Sequence, residues 1–460
     1  MQLKPGGMRG AAAAADARVD RRRLIAASCA LLSATAARGQ EATNAVSNSI
    51  SDAWHFDSAL AYYHENGRIR VIEPIVNFST TLDDGRTFSG EVVFDSLSGS
   101  SPNGALPSNK PQTFATPSGA SLSSAPTTYT TSSGQFASEP ARIYTVQPGQ
   151  LPVDPHYQDQ RIAVTGNWGV PWSRVMNSSF GGTLSYEHDF MSVSTDASIA
   201  RDFNQKNTTL SLQVNNEFDI LHPIGGAPLP ASDYALFKKT GGRTKDGLGL
   251  MLGLTQVMNR RWLTEINLSV DRFHGYLNDP YKIISIIDPT GNTTGYLYEK
   301  RPSVRTRKSV YWENRAAWGR LSMDLSTRYM FDDWGVHSDT AELSVRWWNA
   351  DRDRFLEPDV RWYRQSAANF YAPWIDSTAP PQITYASSDS RLGAFHAFTY
   401  GLKYGARNTD TTDHTTSEFS VRFLYYRQTP EHRLAGPGAL QGLDLYPGLQ
   451  AIMVQVGYKF

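Results

Sequence analysis

Polar and apolar residues alternate with a period of two along much of the chain, which predicts β-strands with one apolar face. The final ten residues show the pattern clearly. One face carries Ile452, Val454, Val456, Tyr458 and Phe460, and the other carries Ala451, Met453, Gln455, Gly457 and Lys459. A terminal amphipathic strand is expected where the last strand of a barrel pairs with the first and removes both sheet edges.

The same period divides residues 54–460 into about 16 strands, an even number as single-chain bacterial barrels require. Tight turns such as Glu65-Asn66-Gly67 separate many of them. If both ends of the barrel lie in the periplasm, every long connection falls on an odd, extracellular position. These long connections are 97–155, 219–244, 274–305, 366–391 and 428–447. The sequence therefore predicts an all-β, transmembrane antiparallel β-barrel with long extracellular loops and short periplasmic turns.

The long loop 97–155 has a composition of its own. It is rich in Ser, Pro, Gly, Thr and Ala and shows no periodicity. We expect an irregular, partly disordered loop there. Whether it plugs the barrel is left open by the sequence.

Composition excludes other classes. Mean hydropathy is −0.42, which excludes a bundle of membrane-spanning helices but suits alternating strands. Lys+Arg and Asp+Glu both number 44, so the main electrostatic argument for nucleic-acid binding is missing.

The first 39 residues are expected to be a cleaved signal peptide. Arg21, Arg22 and Arg23 precede a short apolar run from Leu24 to Ala37, which contains an Ala-x-Ala site at 34–36. The only cysteine, Cys29, lies in this run. Export in the folded state and lipid attachment at Cys29 are rival readings, and both are disfavoured because a barrel crosses the inner membrane unfolded and the run continues past Cys29. Residues 40–53 would form a short periplasmic segment, residues 54–460 the barrel, and the bacterial outer membrane its location.

Strand parity assigns charged residues to the face away from lipid. The candidate lumen-lining residues are Asp57, Glu73, Glu91, Asp95, Glu187, Glu265, Arg315, Asp324, Arg328, Glu342, Arg346, Arg361 and Arg422. Charges there imply water inside, since a dry interior would impose a heavy desolvation cost. The first nine strands carry mostly acids and the later ones mix acids with arginines. Two readings stay open: a transverse field that selects charged solutes, or mutual pairing that braces the wall.

Three further features refine the barrel prediction. Pro74 and Pro358 lie inside strands and predict bulges, which could aim Glu73 and Glu357 inward. An inward row of Gly247, Gly249 and Gly253 leaves space either for an inserted loop or for wall curvature. Tryptophans near strand ends are expected to form interfacial girdles. They are Trp168, Trp262, Trp318, Trp334 and Trp347.

Two resemblances add to this reading. A terminal Phe460 preceded by Tyr458 resembles the signal that outer-membrane barrels present to their assembly machinery.

Several segments resemble a large bacterial family of uncharacterised outer-membrane barrels. They are 95–104 (DSLSGSSPNG), 71–74 (VIEP), 84–86 (DGR), 201–210 (RDFNQKNTTL) and 222–226 (HPIGG). The family has no assigned chemistry, so no site residues carry over. Its members are often encoded near thioredoxin-like, small lipoprotein and flavin-transferase proteins, which implies a loose redox or envelope association.

Other candidate sites are weak. Asn408, Asp410 and Asp413 could bind calcium, but their spacing fits no calcium loop and favours a solvated turn. The histidines show no metal spacing, and no Ser/His/Asp set has a locating motif. We expect no enzyme, cofactor or metal.

The leading hypothesis is a passive or substrate-selective channel for small polar or charged solutes. The alternative is a loop-closed structural barrel that anchors envelope partners. Lipid and the assembly machinery are the expected partners, and the sequence leaves the oligomeric state open.

Overall fold

A computed structural model describes most of the barrel region. The described residues are 54–115, 127–130, 136–139, 143–236, 239–378, 383–409, 416–432, 434–446 and 448–460. The predicted signal peptide with Cys29, the segment 40–53, and Asp410 and Asp413 lie outside them. No helix within the described ranges has the length and apolar character needed to cross a membrane.

Sixteen antiparallel strands close into a single barrel in sequence order, which confirms the predicted fold class and strand number. The strands are β1 His55–Glu65, β2 Ile69–Thr81, β3 Thr87–Pro102, β4 Val153–Ser173, β5 Met176–Glu187, β6 Phe190–Phe203, β7 Thr208–Leu221, β8 Arg243–Asn259, β9 Trp262–Gly275, β10 Val304–Trp318, β11 Leu321–Asp332, β12 His337–Trp348, β13 Arg354–Gln365, β14 Phe395–Thr409, β15 Thr416–Pro430 and β16 Leu449–Lys459.

The terminal strand closes the barrel. β16 pairs antiparallel with β1 on one side and with β15 on the other, so no edge of the sheet is left unpaired. Beyond the ladder, the N–H groups of Phe56 and Phe460 each donate to the other residue's carbonyl oxygen at 2.9 Å. Their rings stack with centroids 5.5 Å apart. The two chain ends of the barrel are therefore joined at the periplasmic rim by backbone and ring contacts.

Alternation separates an outer apolar face from an inner, more polar one. In β8 the outward Leu252 is 51% exposed, whereas the inward Met251 is 6% exposed. Short turns such as 319–320 join strands at one end, and the long connections all lie at the other. This arrangement confirms the predicted short periplasmic turns and long extracellular loops.

Two local predictions were wrong. Neither proline makes a bulge, because the β2–β3 register is the same at Ile72↔Ser96 and Ile75↔Val93 on either side of Pro74. The β13–β14 register likewise runs through Pro358↔Leu402 without a shift. Each proline points outward, and the strand absorbs the missing N–H without an extra residue. Trp334 is no girdle residue, since it is 3% exposed and its ring lies 4.4 Å from the Arg305 guanidinium carbon.

The long loops contain more order than predicted. Within 97–155, β3 continues to Pro102 and β4 begins at Val153, and short strands Gln112–Ala115 and Ile143–Val146 pair between them. A second hairpin pairs Thr127–Thr130 with Phe136–Glu139. The loop after β9 forms a hairpin of Ile283–Ile287 and Thr293–Tyr298, and Trp374–Asp376 from the loop after β13 adds a parallel strand to it. The prediction of an aperiodic loop was therefore wrong for these segments.

Candidate functional site

All thirteen candidate lining residues lie on the inward side of their strands, at the parity that places lipid-facing neighbours outside. Glu73, for example, is 2% exposed while its neighbour Ile72 is 52% exposed. The inward position follows from regular alternation, since β2 has no bulge. Whether these side chains act on a permeating solute remains a prediction.

Many of these charges form ion pairs within one strand or with a nearby strand. Arg346 of β12 contacts Glu357 of β13 at 2.5 Å, and Arg422 of β15 contacts Asp359 of β13 at the same distance. Other wall pairs include Arg161–Asp95, Arg315–Glu313, Arg315–Asp324, Arg407–Glu418, Lys245–Asp219 and Lys459–Asp57. This geometry is that of charges bracing the wall, one of the two readings left open by the sequence.

Pairing does not remove the charge asymmetry. On the inward face of β1–β9 the cations are few, chiefly Arg161, Arg243 and Lys245, and carboxylates outnumber them. Later strands carry Arg307, Arg328, Arg361 and other inward cations. An acidic side and a more basic side of the lumen therefore coexist with local pairs.

Inward glycines make room for carboxylates and rings of the neighbouring strands. A methyl group at Gly249 would collide with Asp271 and Asn215, and one at Gly247 would lie 2.7 Å from the Phe273 ring. A methyl group at Gly401 would likewise collide with the carboxylate of Asp359. The space beside Gly247 and Gly249 is thus filled by side chains of β7 and β9, so neither an inserted loop nor curvature alone explains these glycines.

The five long connections pack together over the extracellular end, and we call their described residues, within 103–152, 222–242, 276–303, 366–394 and 431–448, the cap. The Leu106 N–H donates to Ser285 Oγ at 3.0 Å, and Lys282 Nζ donates to the Pro102 carbonyl at 2.8 Å. These contacts join the loop after β3 to the loop after β9. Since about six strands separate the two loops around a 16-stranded wall, at roughly 4.8 Å per strand, the cap must cross the mouth of the barrel.

Apolar side chains hold the cap together. One cluster unites residues of two loops, and Tyr234 of a third loop packs against it; its buried members are Ala105, Phe114, Tyr144, Val146, Ile283 and Tyr298. A second brings Leu106 and Ile287 against Leu440 and Leu445 of the last loop. The Ala439 N–H also donates to the Thr290 carbonyl at 2.8 Å. The cap therefore has a core of its own, which aperiodic loops would lack.

A buried charge network fastens two of these loops. Arg301 Nη2 donates to Glu299 at 2.7 Å and to Asp389 at 3.0 Å, and Asp389 also accepts from Arg391 at 2.8 Å. Arg391 reaches Asp279 at 3.1 Å. Burial opposes the charge on Asp389, but Arg391, Lys282 and Arg301 outweigh it and hold its pKa well below the ordinary value. Burial, with Asp279 and Asp389 nearby, raises the pKa of Glu299 to about 7 against the attraction of Arg301.

Sequence reasoning missed this network and several wall residues. Arg161, Lys245, Glu313 and Asp359 obey the same parity as the predicted lining residues and could have been found by it. The cap network gives no such signal, because Arg301 and Asp389 lie 88 positions apart in segments without periodicity. No group of three or more metal-ligating side chains occurs in the part of the chain that the structure describes.

The chain is similar to one protein family in sequence and to several solved barrels in fold. A family model described as "Protein of unknown function (DUF3570)" matches residues 21–460. No curated protein matches the chain. Among solved structures, the outer membrane protein opdK from Pseudomonas aeruginosa is 8% identical, with a TM-score of 0.38 and coverage of 88% of this chain and 98% of that one.

Two other similar structures belong to proteins with different names and roles. A bacterial polysaccharide outer membrane secretin is 8% identical, with a TM-score of 0.41 and coverage of 90% of this chain and 100% of that one. The siderophore receptor PirA from Acinetobacter baumannii is 8% identical, with a TM-score of 0.38 and coverage of 83% and 54%. Similarity at this level says nothing about what, if anything, passes through this chain.

Proposed function

The chain belongs to the DUF3570 family of proteins of unknown function, so we propose a function from its own barrel: an outer-membrane channel, passive or substrate-selective, for small polar or charged solutes. The observation that carries the proposal is the charged inward face at the depth where the outward face is apolar. This many charges require water or polar contacts inside, since a dry lumen would impose a desolvation cost of several kcal/mol per ion.

The charge distribution supports selectivity for charged solutes. Arg328 and Arg361 belong to the more basic side, and Arg328 donates to Ser309 Oγ at 3.4 Å. Glu265, on the acidic side, accepts from Asn267 Nδ2 at 2.7 Å. Ions that cross a narrow path between such walls are attracted or repelled according to sign. We infer that the lumen orients charged solutes, with the paired residues fixing its shape.

The cap favours a second candidate, a structural barrel that is closed by its loops and anchors envelope partners. Its apolar clusters and buried ion pairs give the cap the internal packing expected of a stable plug. The loose association of the family with periplasmic redox proteins would place those partners in the periplasm.

We also propose that the outward face of the last strand serves assembly. Tyr458 and Phe460 are both exposed on this face, and their ring centroids lie 5.7 Å apart. Two adjacent aromatic rings at the periplasmic rim suit recognition by the barrel-assembly machinery and anchoring in outer-membrane lipid.

Solute entry into proteoliposomes separates the two functions. The refolded protein is reconstituted, and swelling is followed with a neutral sugar, a small carboxylate salt and a small ammonium salt of similar size. A channel predicts swelling faster than in protein-free vesicles and different rates for the two salts. Protein that shows heat-modifiable gel mobility but no swelling with any solute would favour the anchoring barrel, and co-purifying envelope proteins would then identify its partners.

A further inference from the structure

An open cavity of about 530 Å³ lies at the extracellular end, where the last residues of the loop after β7 meet the loops after β9 and β13. Its lining residues include Arg243, Thr244, Tyr276, Lys300, Arg301 and Tyr385. The volume falls within the range of small-molecule sites, about 300–1,000 Å³.

The frame of the cavity is built by backbone hydrogen bonds between these segments. Lys300 and Ala386 exchange two of them, at 2.9 and 2.8 Å. The Tyr276 N–H donates to the Thr244 carbonyl at 3.1 Å, and Asn278 Oδ1 accepts from the Arg301 N–H at 2.6 Å. The lining is therefore fixed before any ligand arrives, which lowers the entropic cost of binding.

All the charged side chains that line the cavity are positive. Arg243, Lys300 and Arg301 are cations, and no lining residue is a carboxylate. Arg243 and Lys300 are only partly buried and can be reached from solvent. Arg243 Nη2 donates to Thr240 Oγ1 at 2.7 Å, which holds its guanidinium in place, and Lys300 Nζ lies 5.8 Å from the centre of the Tyr385 ring.

Arg301 also lines the cavity, but it is only 3% exposed. Its Nη2 is engaged by Glu299 and Asp389, whereas Nε and Nη1 have no hydrogen-bond partner among the described residues. Both carboxylates lie on the side of the buried network, and Arg391 and Lys282 offset them there. The accessible side of the cavity thus keeps the charge of Arg243 and Lys300.

We propose that this cavity binds a small organic anion, held at its carboxylate by Arg243 and Lys300 and along its carbon skeleton by Tyr276 and Tyr385. Carboxylates suit this pair because a guanidinium and an ammonium donate charge-assisted hydrogen bonds to them. The two tyrosines supply apolar ring surface beside the cations. The volume accommodates a carbon skeleton in addition to the charged group. Such binding would occur whether or not the barrel conducts.

The test is calorimetric titration of the detergent-solubilised full barrel with benzoate and succinate, each compared with its uncharged amide, at constant ionic strength. At least one carboxylate is expected to bind saturably and at least about tenfold more tightly than its amide, since a charge-assisted hydrogen bond contributes roughly 1.5–3 kcal/mol and 1.4 kcal/mol is tenfold. Arg243→Gln and Lys300→Gln should each weaken that binding by about tenfold or more. The matched control is Lys110→Gln, an exposed cation on another cap loop, and it should leave binding unchanged.

Each contrary outcome overturns the proposal. These outcomes are the absence of saturable binding by either carboxylate, equal binding of an amide, and binding insensitive to both substitutions in protein that keeps heat-modifiable mobility. If Lys110→Gln weakens binding as much as the other two variants, general surface charge rather than the cavity attracts the anion.

Discussion

Replacing Asp389 by Asn should loosen the cap without unfolding the barrel. Asp389 is 0% exposed and accepts from Arg301 at 3.0 Å and from Arg391 at 2.8 Å. The amide keeps the shape of the side chain but removes its charge. The buried guanidinium of Arg301 and the partly buried guanidinium of Arg391 then each lose one counter-ion.

The magnitude follows from the burial of the network. Removing one partner of a buried ion pair costs about 3–5 kcal/mol, because it leaves an uncompensated charge in a poorly solvated place. If opening of the cap exposes these groups to water, its equilibrium constant should rise by about two to three and a half orders of magnitude. Glu299 still neutralises Arg301 in part, so we expect an increase near the lower end of this range.

Hydrogen exchange provides the assay. The Lys300 and Ala386 N–H groups bond to each other's carbonyls across the two loops that Asp389 helps to join. Their exchange in Asp389→Asn should be at least about a hundredfold faster, the kinetic equivalent of that free energy. Amides of the barrel ladder, such as Leu250 opposite Val270, should be unaffected.

A matched control lies in the same cap. Asp288 is a partly exposed carboxylate whose side-chain hydrogen bonds are confined to its own turn, to Thr290 and Asn292. Asp288→Asn should leave the exchange of Lys300 and Ala386 unchanged. Unchanged exchange in Asp389→Asn as well would refute the view that the buried network holds the two loops together.

Three further predictions use other groups. Because burial raises the pKa of Glu299 to about 7 from an ordinary 4.5, its contribution to cap stability should be complete below pH 4.5 and lost as pH rises toward 7. Limited proteolysis of the cap should therefore be faster at pH 8 than at pH 5, and Glu299→Gln should reduce the difference. Arg328→Gln should shift ion selectivity toward cations, measured as a change in reversal potential, since one inward positive charge is lost. Phe460→Ala should lower the yield of assembled barrel on heat-modifiable gels, whereas Tyr400→Ala, an exposed outward aromatic of β14, should not.

The barrel could be predicted because the alternation of apolar and polar residues recurs in strand after strand. Each strand alternates, so Leu252 and Met251 could be assigned to opposite faces from parity alone. The parity of the long connections then constrained the strand number. Register added what the sequence lacked: it shows that Glu357 is close enough to Arg346 to pair, and that no bulge accompanies Pro358.

The cap could not be predicted in the same way. Its contacts join residues far apart in the chain, such as Leu106 with Ser285 and Arg301 with Asp389, in segments without period. The position of Trp334 could not be predicted from its place in the sequence either. It stands beside a strand end, where a girdle residue is expected, but the turn folds it inward onto Arg305. The cavity lined by Arg243 and Lys300 likewise depends on how the loops pack against the ends of β8 and β9.

If the barrel conducts, a water-filled path runs from one end of it to the other. Single-channel currents across a planar bilayer, recorded from refolded protein with a salt gradient, would detect this path. We expect steady openings with a non-zero reversal potential, whose sign gives the selectivity of the charged lumen. A bilayer that stays silent, with protein whose heat-modifiable mobility confirms folding, would contradict an open channel.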